Sequence, residues 1–178
     1  MCIRDRNSIV THDAGAPRDT MVPFFSATTA HSYIGWGKTT HLGFGIPLMI
    51  GAKIAQPEKF CLNLMGDGAF GMSGTDLETA ARSGVAITTV LLNNSAMATY
   101  SGPLQGTIGE EARNEYGVST MHGDYAKIAE GMGAIGIKVN KPCDIGPALK
   151  EAQVQNRKGK TVLIEVKANI EQRRSKFR

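Results

Sequence analysis

Short runs of apolar and β-branched residues alternate along the chain with stretches in which apolar positions recur every three to four residues. The first kind covers Ser8 to Thr11, Lys59 to Met65, Ala86 to Leu92, Ile135 to Val139 and Thr161 to Val166, and each run has the length of a strand. The run from Ala86 to Leu92 is almost wholly apolar or β-branched, as a strand covered on both faces must be, and this predicts a central position.

The second kind has readable ends. Pro47 suits a first helical turn and Pro57 lies just past a last one, which frames a helix over Leu48 to Gln56. Thr75 and Glu78 have capping-box spacing ahead of Leu77, Ala80 and Ala81, and Gly84 can form the left-handed stop. Asp124 is expected to cap a helix with an inner face of Tyr125, Ile128, Ala129 and Met132, and Asp144 one with Ile145, Ala148, Leu149 and Ala152. Strands alternating with helices predict an α/β fold of three layers, with a mostly parallel central sheet and helices on both faces. Between Ser95 and Gly123 neither period holds, and a segment of that length is expected to be a lid or binding loop over a site.

Composition adds three constraints. The chain has 178 residues, 42% of them hydrophobic, which suits one globular domain with its own core. Cys2, Cys61 and Cys143 are odd in number and scattered, a pattern of reduced thiols that points to the cytoplasm. The formal charge of +4 owes much to Arg4, Arg6, Arg173, Arg174, Lys176 and Arg178 at the two ends. The interior has no basic stripe with interleaved aromatics, so no nucleic acid is expected as partner. No apolar run reaches the length of a membrane span, and no membrane association is expected. Residues 1–6 lack the apolar stretch of a signal peptide and read as a truncated or artefactual leader; residues 7–168 form the expected domain and 169–178 a basic tail.

Candidate chemistry concentrates where the strand Lys59 to Met65 runs out into Gly66-Asp67-Gly68-Ala69-Phe70-Gly71. In an open parallel sheet ligands sit beyond the carboxyl ends of strands. Glycines there let backbone N–H groups approach an anion, and a carboxylate supplies hard oxygen for Mg²⁺. The next strand ends in Asn93-Asn94-Ser95, and the 27 residues from Asp67 to Asn94 suffice for one helix and one returning strand. Adjacent parallel strands would then bring the two side chains to one edge. A Gly-Asp-Gly turn alone is also an ordinary tight turn; the Asn pair at the next strand end makes the combination specific. Gly35-Trp36-Gly37-Lys38-Thr39 imitates the end of a nucleotide-binding P-loop, but Ser32 stands where its first glycine belongs and Gly43 and Gly45 interrupt any following helix. His12, His31, His41 and His122 show no metal-ligand spacing.

Gly-Asp-Gly closed by Asn-Asn at this distance resembles the cofactor motif of the thiamine-diphosphate (ThDP) enzymes. The preceding Leu42-Gly43-Phe44-Gly45-Ile46-Pro47, Ile50 to Ala55 and Pro57 are similar to the acetolactate synthase-like branch, and the likeness extends from about Val10 to Val166. The resemblance implies the diphosphate-binding domain, normally C-terminal, of an enzyme that decarboxylates or ligates 2-oxo acids with ThDP and Mg²⁺. Carried over by position, Asp67, the Asn94 side chain and the Ala96 carbonyl would ligate the metal, and Gly66, Gly68 and Ala69 would shape the turn and offer backbone N–H groups to the diphosphate. Leu42 would bend the cofactor, Thr40 would face its aminopyrimidine with His41 alongside, and Met97 would lie near the thiazolium. Gly15 and Arg18 occupy the place of a second diphosphate loop, although Ala16 and Pro17 lack its usual polar side chains. Each has a competing structural role: Leu42 and Met97 as core, His41 as a structural histidine, Arg18 in an ion pair with Asp13 or Asp19.

The family's activating glutamate belongs to a separate pyrimidine-binding domain, and no position here matches it. The resemblance therefore implies a pyrimidine-binding domain or subunit as partner in a homo- or hetero-oligomer, and no catalytic residue in this chain. Other readings left open are the diphosphate-binding subunit of a two-subunit sulfopyruvate- or phosphonopyruvate-type decarboxylase, and a non-catalytic cofactor-binding module.

Overall fold

The computed structural model describes residues 7–37, 39, 41–97, 115–117 and 120–170. Five strands, β1 (Ser8–His12), β2 (Phe60–Gly66), β3 (Thr88–Asn93), β4 (Ile135–Val139) and β5 (Val162–Lys167), form one sheet in the order β1-β2-β3-β5-β4. Every pairing is parallel, and β3 lies in the middle, as its unbroken apolar run predicts.

Alternate residues of β1, β2, β3 and β5 enter two separate cores, because side chains point to opposite faces of a strand. On one face Ile9, Cys61, Met65, Leu91 and Leu163 pack with residues of α2 (Gly45–Ala55), α3 (Asp67–Ser73), α4 (Asp76–Arg82) and α5 (Tyr125–Gly131). On the other, Val10, Leu62, Val90, Val162 and Ile164 pack with Met21 of α1 (Ala16–Met21) and with Ala148, Leu149 and Ala152 of α6 (Ile145–Arg157). The three layers match the expected fold.

Several local expectations are corrected. The segment after β2 is not an open turn: α3 begins at Asp67 directly after the strand. Thr75 forms no capping box, since its φ of −61° and ψ of −21° are already helical and its side chain caps nothing. Only one residue, Thr75, separates Gly74 at the end of α3 from the start of α4. Asp144 likewise makes no side-chain cap, because a 3-10 turn over Pro142–Asp144 runs into α6. Asp124 does cap α5, accepting the Lys127 N–H. Its inner face is Tyr125, Ala126 and Ala129, with Met132 half-buried against the same core as expected, while Ile128 is exposed. Gly84 has a φ of +67° and closes α4 as expected.

α2 starts three residues ahead of the predicted Leu48, and its cap comes from elsewhere in the chain. Asp13, fully buried just past β1, accepts the Gly43 N–H at 2.6 Å and is also bonded by the N–H groups of Phe44 and Gly45. A carboxylate thirty positions away supplies what a local Ser or Asp would normally give.

Candidate cofactor site at the carboxyl edge

β2 and β3 are paired with Gly66 opposite Leu92, so the residues that follow both strands emerge side by side. Asp67 is 3% exposed. One carboxylate oxygen accepts the Gly68 N–H at 2.9 Å, and the other is buried with no hydrogen-bond partner. Burial pushes its carboxyl above the ordinary range, opposed by the N–H groups of Gly68, Ser95 and Ala96. That last pair shows the turn after β3 reaching across to Asp67.

The turn itself is tightly constrained. Asn94 Oδ1 accepts the Ala96 N–H at 3.0 Å, Ala96 bridges to Thr120, and Ser95 has a φ of +58°. A buried carboxylate oxygen without a partner is costly. A divalent cation bonded there, completed by an amide oxygen and a backbone carbonyl, would remove the cost, and these are the oxygen ligands Mg²⁺ accepts. The donor set at Asp67, Asn94 and Ala96 therefore fits the ion. Among the described residues no three His, Cys, Asp or Glu side chains gather as a metal site.

Around this edge the structure places most of the other candidate residues. Gly68 has no room for a side chain: a Cβ there would stand 2.9 Å from Met97 Sδ, which puts Met97 directly over the first turn of α3. Ala69 is buried beneath it. The loop bearing His41 and Leu42 rests on α3, since a Cβ on Gly43, whose φ is +81°, would meet Met72 Cβ at 2.9 Å. Leu42 is half-buried against the core and His41 is exposed, edge-on to Phe44. Thr40 lies outside the described residues, as do residues 98–114 and 118–119 of the expected lid.

Gly15 begins α1 with a φ of +84°, and the helix's first turn lies by Gly66, where a Cβ would be 3.9 Å from Pro17 Cγ. Arg18 is held by Asp19, with Nε 2.6 Å from Oδ1, and its guanidinium lies over Trp36. The ion pair with Asp19, one of the two alternatives for Arg18, thus forms.

Sequence reasoning passed over the group beside Arg18. His12, at the carboxyl end of β1, places Nδ1 3.0 Å from the Asp13 carbonyl and Nε2 2.5 Å from the Tyr33 hydroxyl. A carbonyl only accepts, so Nδ1 carries the proton and Tyr33 donates to Nε2. Burial holds the imidazole below its ordinary range, which keeps it neutral. No spacing motif marks such a group.

A cavity of about 550 Å³, lined by Lys53, Lys59, Phe60, Val85 and Arg157 among others, opens at the opposite edge, where the strands begin. It is remote from Asp67 and shares none of its residues.

Comparison with known proteins places the chain in a family. Residues 13–166 match the family described as thiamine pyrophosphate enzyme, C-terminal TPP binding domain. The mitochondrial acetolactate synthase catalytic subunit of Saccharomyces cerevisiae is 30% identical over 146 residues, covering 82% of this chain and 21% of that protein. A sulfoacetaldehyde acetyltransferase of Alcaligenes xylosoxydans xylosoxydans is 35% identical over 133 residues, covering 70% of this chain and 20% of that protein. Among solved structures, the thiamine diphosphate-dependent 4-hydroxybenzoylformate decarboxylase of Rhodococcus jostii RHA1 superposes with a TM-score of 0.75 at 26% identity, over 94% of this chain and 30% of that one. The chain thus spans about a fifth to a third of the length of these proteins.

Proposed function

The chain belongs to the C-terminal, cofactor-binding domains of the thiamine pyrophosphate enzymes, and on that premise we propose that it anchors the diphosphate of ThDP through one Mg²⁺ ion for an enzyme acting on 2-oxo acids. Acetolactate synthase-like relatives favour decarboxylation, carboligation or both as the outcome. The observation that carries the reading is the buried, unpartnered oxygen of Asp67 beside the Asn94–Ala96 turn.

In this reading Asp67, Asn94 and Ala96 hold the ion, and the first turn of α3 at Gly68 and Ala69 takes the diphosphate. Gly15 and Arg18 approach it from α1, and Leu42, Thr40, His41 and Met97 line the organic part. ThDP, when bound, supplies the electron sink for the pair released as carbon dioxide leaves the substrate. This chain's own work is to bind and orient: the carboxylate and amide oxygens fix the ion, and the apolar surface of Leu42 and Met97 keeps water from the space beside it.

The partner is a pyrimidine-binding domain or subunit bearing the activating glutamate, in a homo- or hetero-oligomer. The cytoplasm is the proposed location, in keeping with the free thiols of Cys61 and Cys143; among the described residues no helix is long and apolar enough to cross a membrane.

The test is Asp67→Ala in an assembly reconstituted with the pyrimidine-binding partner, followed by calorimetry of ThDP with and without Mg²⁺. Loss of the Mg²⁺-dependent component is expected. Unchanged affinity would remove the reading.

A further inference from the structure

Asn93 and Asn94 leave β3 together but are put to different uses. Asn93 is 1% exposed, and its Nδ2 donates to Glu165 Oε1 at 2.5 Å. Glu165 lies within β5, buried, paired in register with Leu91. Its second oxygen accepts the Ala126 N–H in the first turn of α5 at 2.9 Å. Both oxygens are thus bonded to N–H donors, one from the neighbouring strand and one from a helix above it.

This arrangement decides which way the Asn93 amide points. With Nδ2 committed to a carboxylate, Oδ1 must face the turn, where it accepts from Ser95 N at 3.1 Å and Ser95 Oγ at 3.2 Å. Ser95 is the residue with the left-handed φ of +58°, a conformation a serine does not adopt without being held there. Two further bonds fix it: the Met121 N–H donates to its carbonyl, and Lys167 Nζ, two residues beyond Glu165 on the same strand, lies 3.1 Å from Oγ.

We propose that Glu165 is a positioning residue for the metal-binding turn: through Asn93 it holds Ser95 in the left-handed conformation that presents Asn94 and Ala96 beside Asp67. The proposal rests on the reading that Mg²⁺ binds at Asp67. Glu165 contacts neither ion nor cofactor in it; it sets the geometry of residues that do, as outer partners of metal ligands do generally.

Hydrogen-bond polarity supplies the test. Glu165 faces two donors, so Glu165→Gln can satisfy only one, and turning Asn93 to suit the new amide would set Nδ2 against the Ser95 N–H. Adding Asn93→Asp restores every bond with donor and acceptor exchanged between the two side chains. The full chain carrying each change is titrated with Mg²⁺ and ThDP by calorimetry, and the amide NMR signals of Ser95 and Ala96 are followed without either.

Glu165→Gln is expected to weaken apparent Mg²⁺ affinity about tenfold or more, with ThDP occupancy recovered at saturating Mg²⁺ and the two amide signals displaced. The double variant is expected to recover both affinity and signals. Glu165→Gln binding like the wild type, while Asp67→Asn abolishes binding, overturns the proposal and leaves the site reading standing. Unchanged binding in Asp67→Asn removes the reading and the proposal with it. Should Glu165→Gln fail to fold, the double variant decides: wild-type affinity supports the proposal, and a weak or unfolded double variant overturns it.

Discussion

Asp13 Oδ1 accepts the backbone N–H of Gly43 at 2.6 Å across thirty positions of sequence, and this one bond joins the end of β1 to the loop that carries Leu42. The Ala14 N–H, bonded to the His41 carbonyl at 3.3 Å, reinforces it. The loop carrying Leu42 is thereby registered against the sheet rather than left to its own conformation.

That position has a pH signature. Burial raises the Asp13 carboxyl from 3.8 to about 6, against the N–H groups of Gly43, Phe44 and Gly45 and the Asn63 side chain. The folded state therefore holds this proton to higher pH than the unfolded state does. Its contribution to stability is greatest below pH 3.8 and declines as pH rises through about 6, by an amount of order 3 kcal/mol. Asp13→Asn keeps an acceptor for Gly43 and cannot ionise. Urea unfolding between pH 4.5 and 8 is expected to show a wild-type slope that the variant lacks, with the variant the more stable of the two at pH 8. Parallel pH profiles would contradict this.

Two glycines of α2 make opposite predictions. A Cβ on Gly45 would lie 2.1 Å from Asn63 Oδ1, a side chain with no exposed surface, whereas one on Gly51 meets nothing within 4 Å. Gly45→Ala is expected to cost about 3 kcal/mol or more through overpacking. Gly51→Ala, in a helix interior with open space, should gain about 0.5 to 1 kcal/mol. Thermal unfolding of the two variants separates them; equal shifts would mean the helix start is not packed as described.

Asn156 carries a third prediction. It accepts from Thr88 Oγ1 at 2.9 Å and donates to the carbonyls of Ile87 at 3.2 Å and Lys160 at 2.8 Å. Removing it leaves the buried Thr88 hydroxyl of β3 without its acceptor and takes a donor from the Ile87 and Lys160 carbonyls. Asn156→Ala should lose about 2 to 3 kcal/mol, measured by denaturant unfolding, whereas substitution of the neighbouring exposed Val154 should change stability by less than about 1 kcal/mol.

These residues also mark what was legible in the sequence. The five strands and the inner face of α6 follow from periodicity, because the burial of apolar side chains imposes it. Asp67 and Asn94 were legible for a different reason: adjacent parallel strands deliver consecutive strand ends to one edge, so spacing alone brings them together. Asp13, Asn156 and Glu165 were not, since each satisfies partners 30, 68 and 72 positions away, and a single polar residue in an apolar pattern does not announce its partner. The failed caps at Thr75 and Asp144 have a local cause instead: neighbouring helical turns had already taken over the helix starts.

The last prediction concerns activity. In the proposed reading Asp67, Asn94 and Ala96 hold the ion, but the one buried glutamate among the described residues, Glu165, is occupied by Asn93 and Ala126 and has no free oxygen with which to activate an aminopyrimidine. Glu58, Glu78, Glu115, Glu130 and Glu151 are exposed, and Glu78 is bonded to Arg82 on the outside of α4. Binding and turnover should therefore separate: the purified chain is expected to take up ThDP with Mg²⁺ yet release no carbon dioxide from pyruvate. Adding the pyrimidine-binding partner should start turnover without changing the Mg²⁺ requirement. Carbon dioxide release by the chain alone, measured in a coupled assay and lost in Asp67→Ala, would show that an activating group resides in this domain after all.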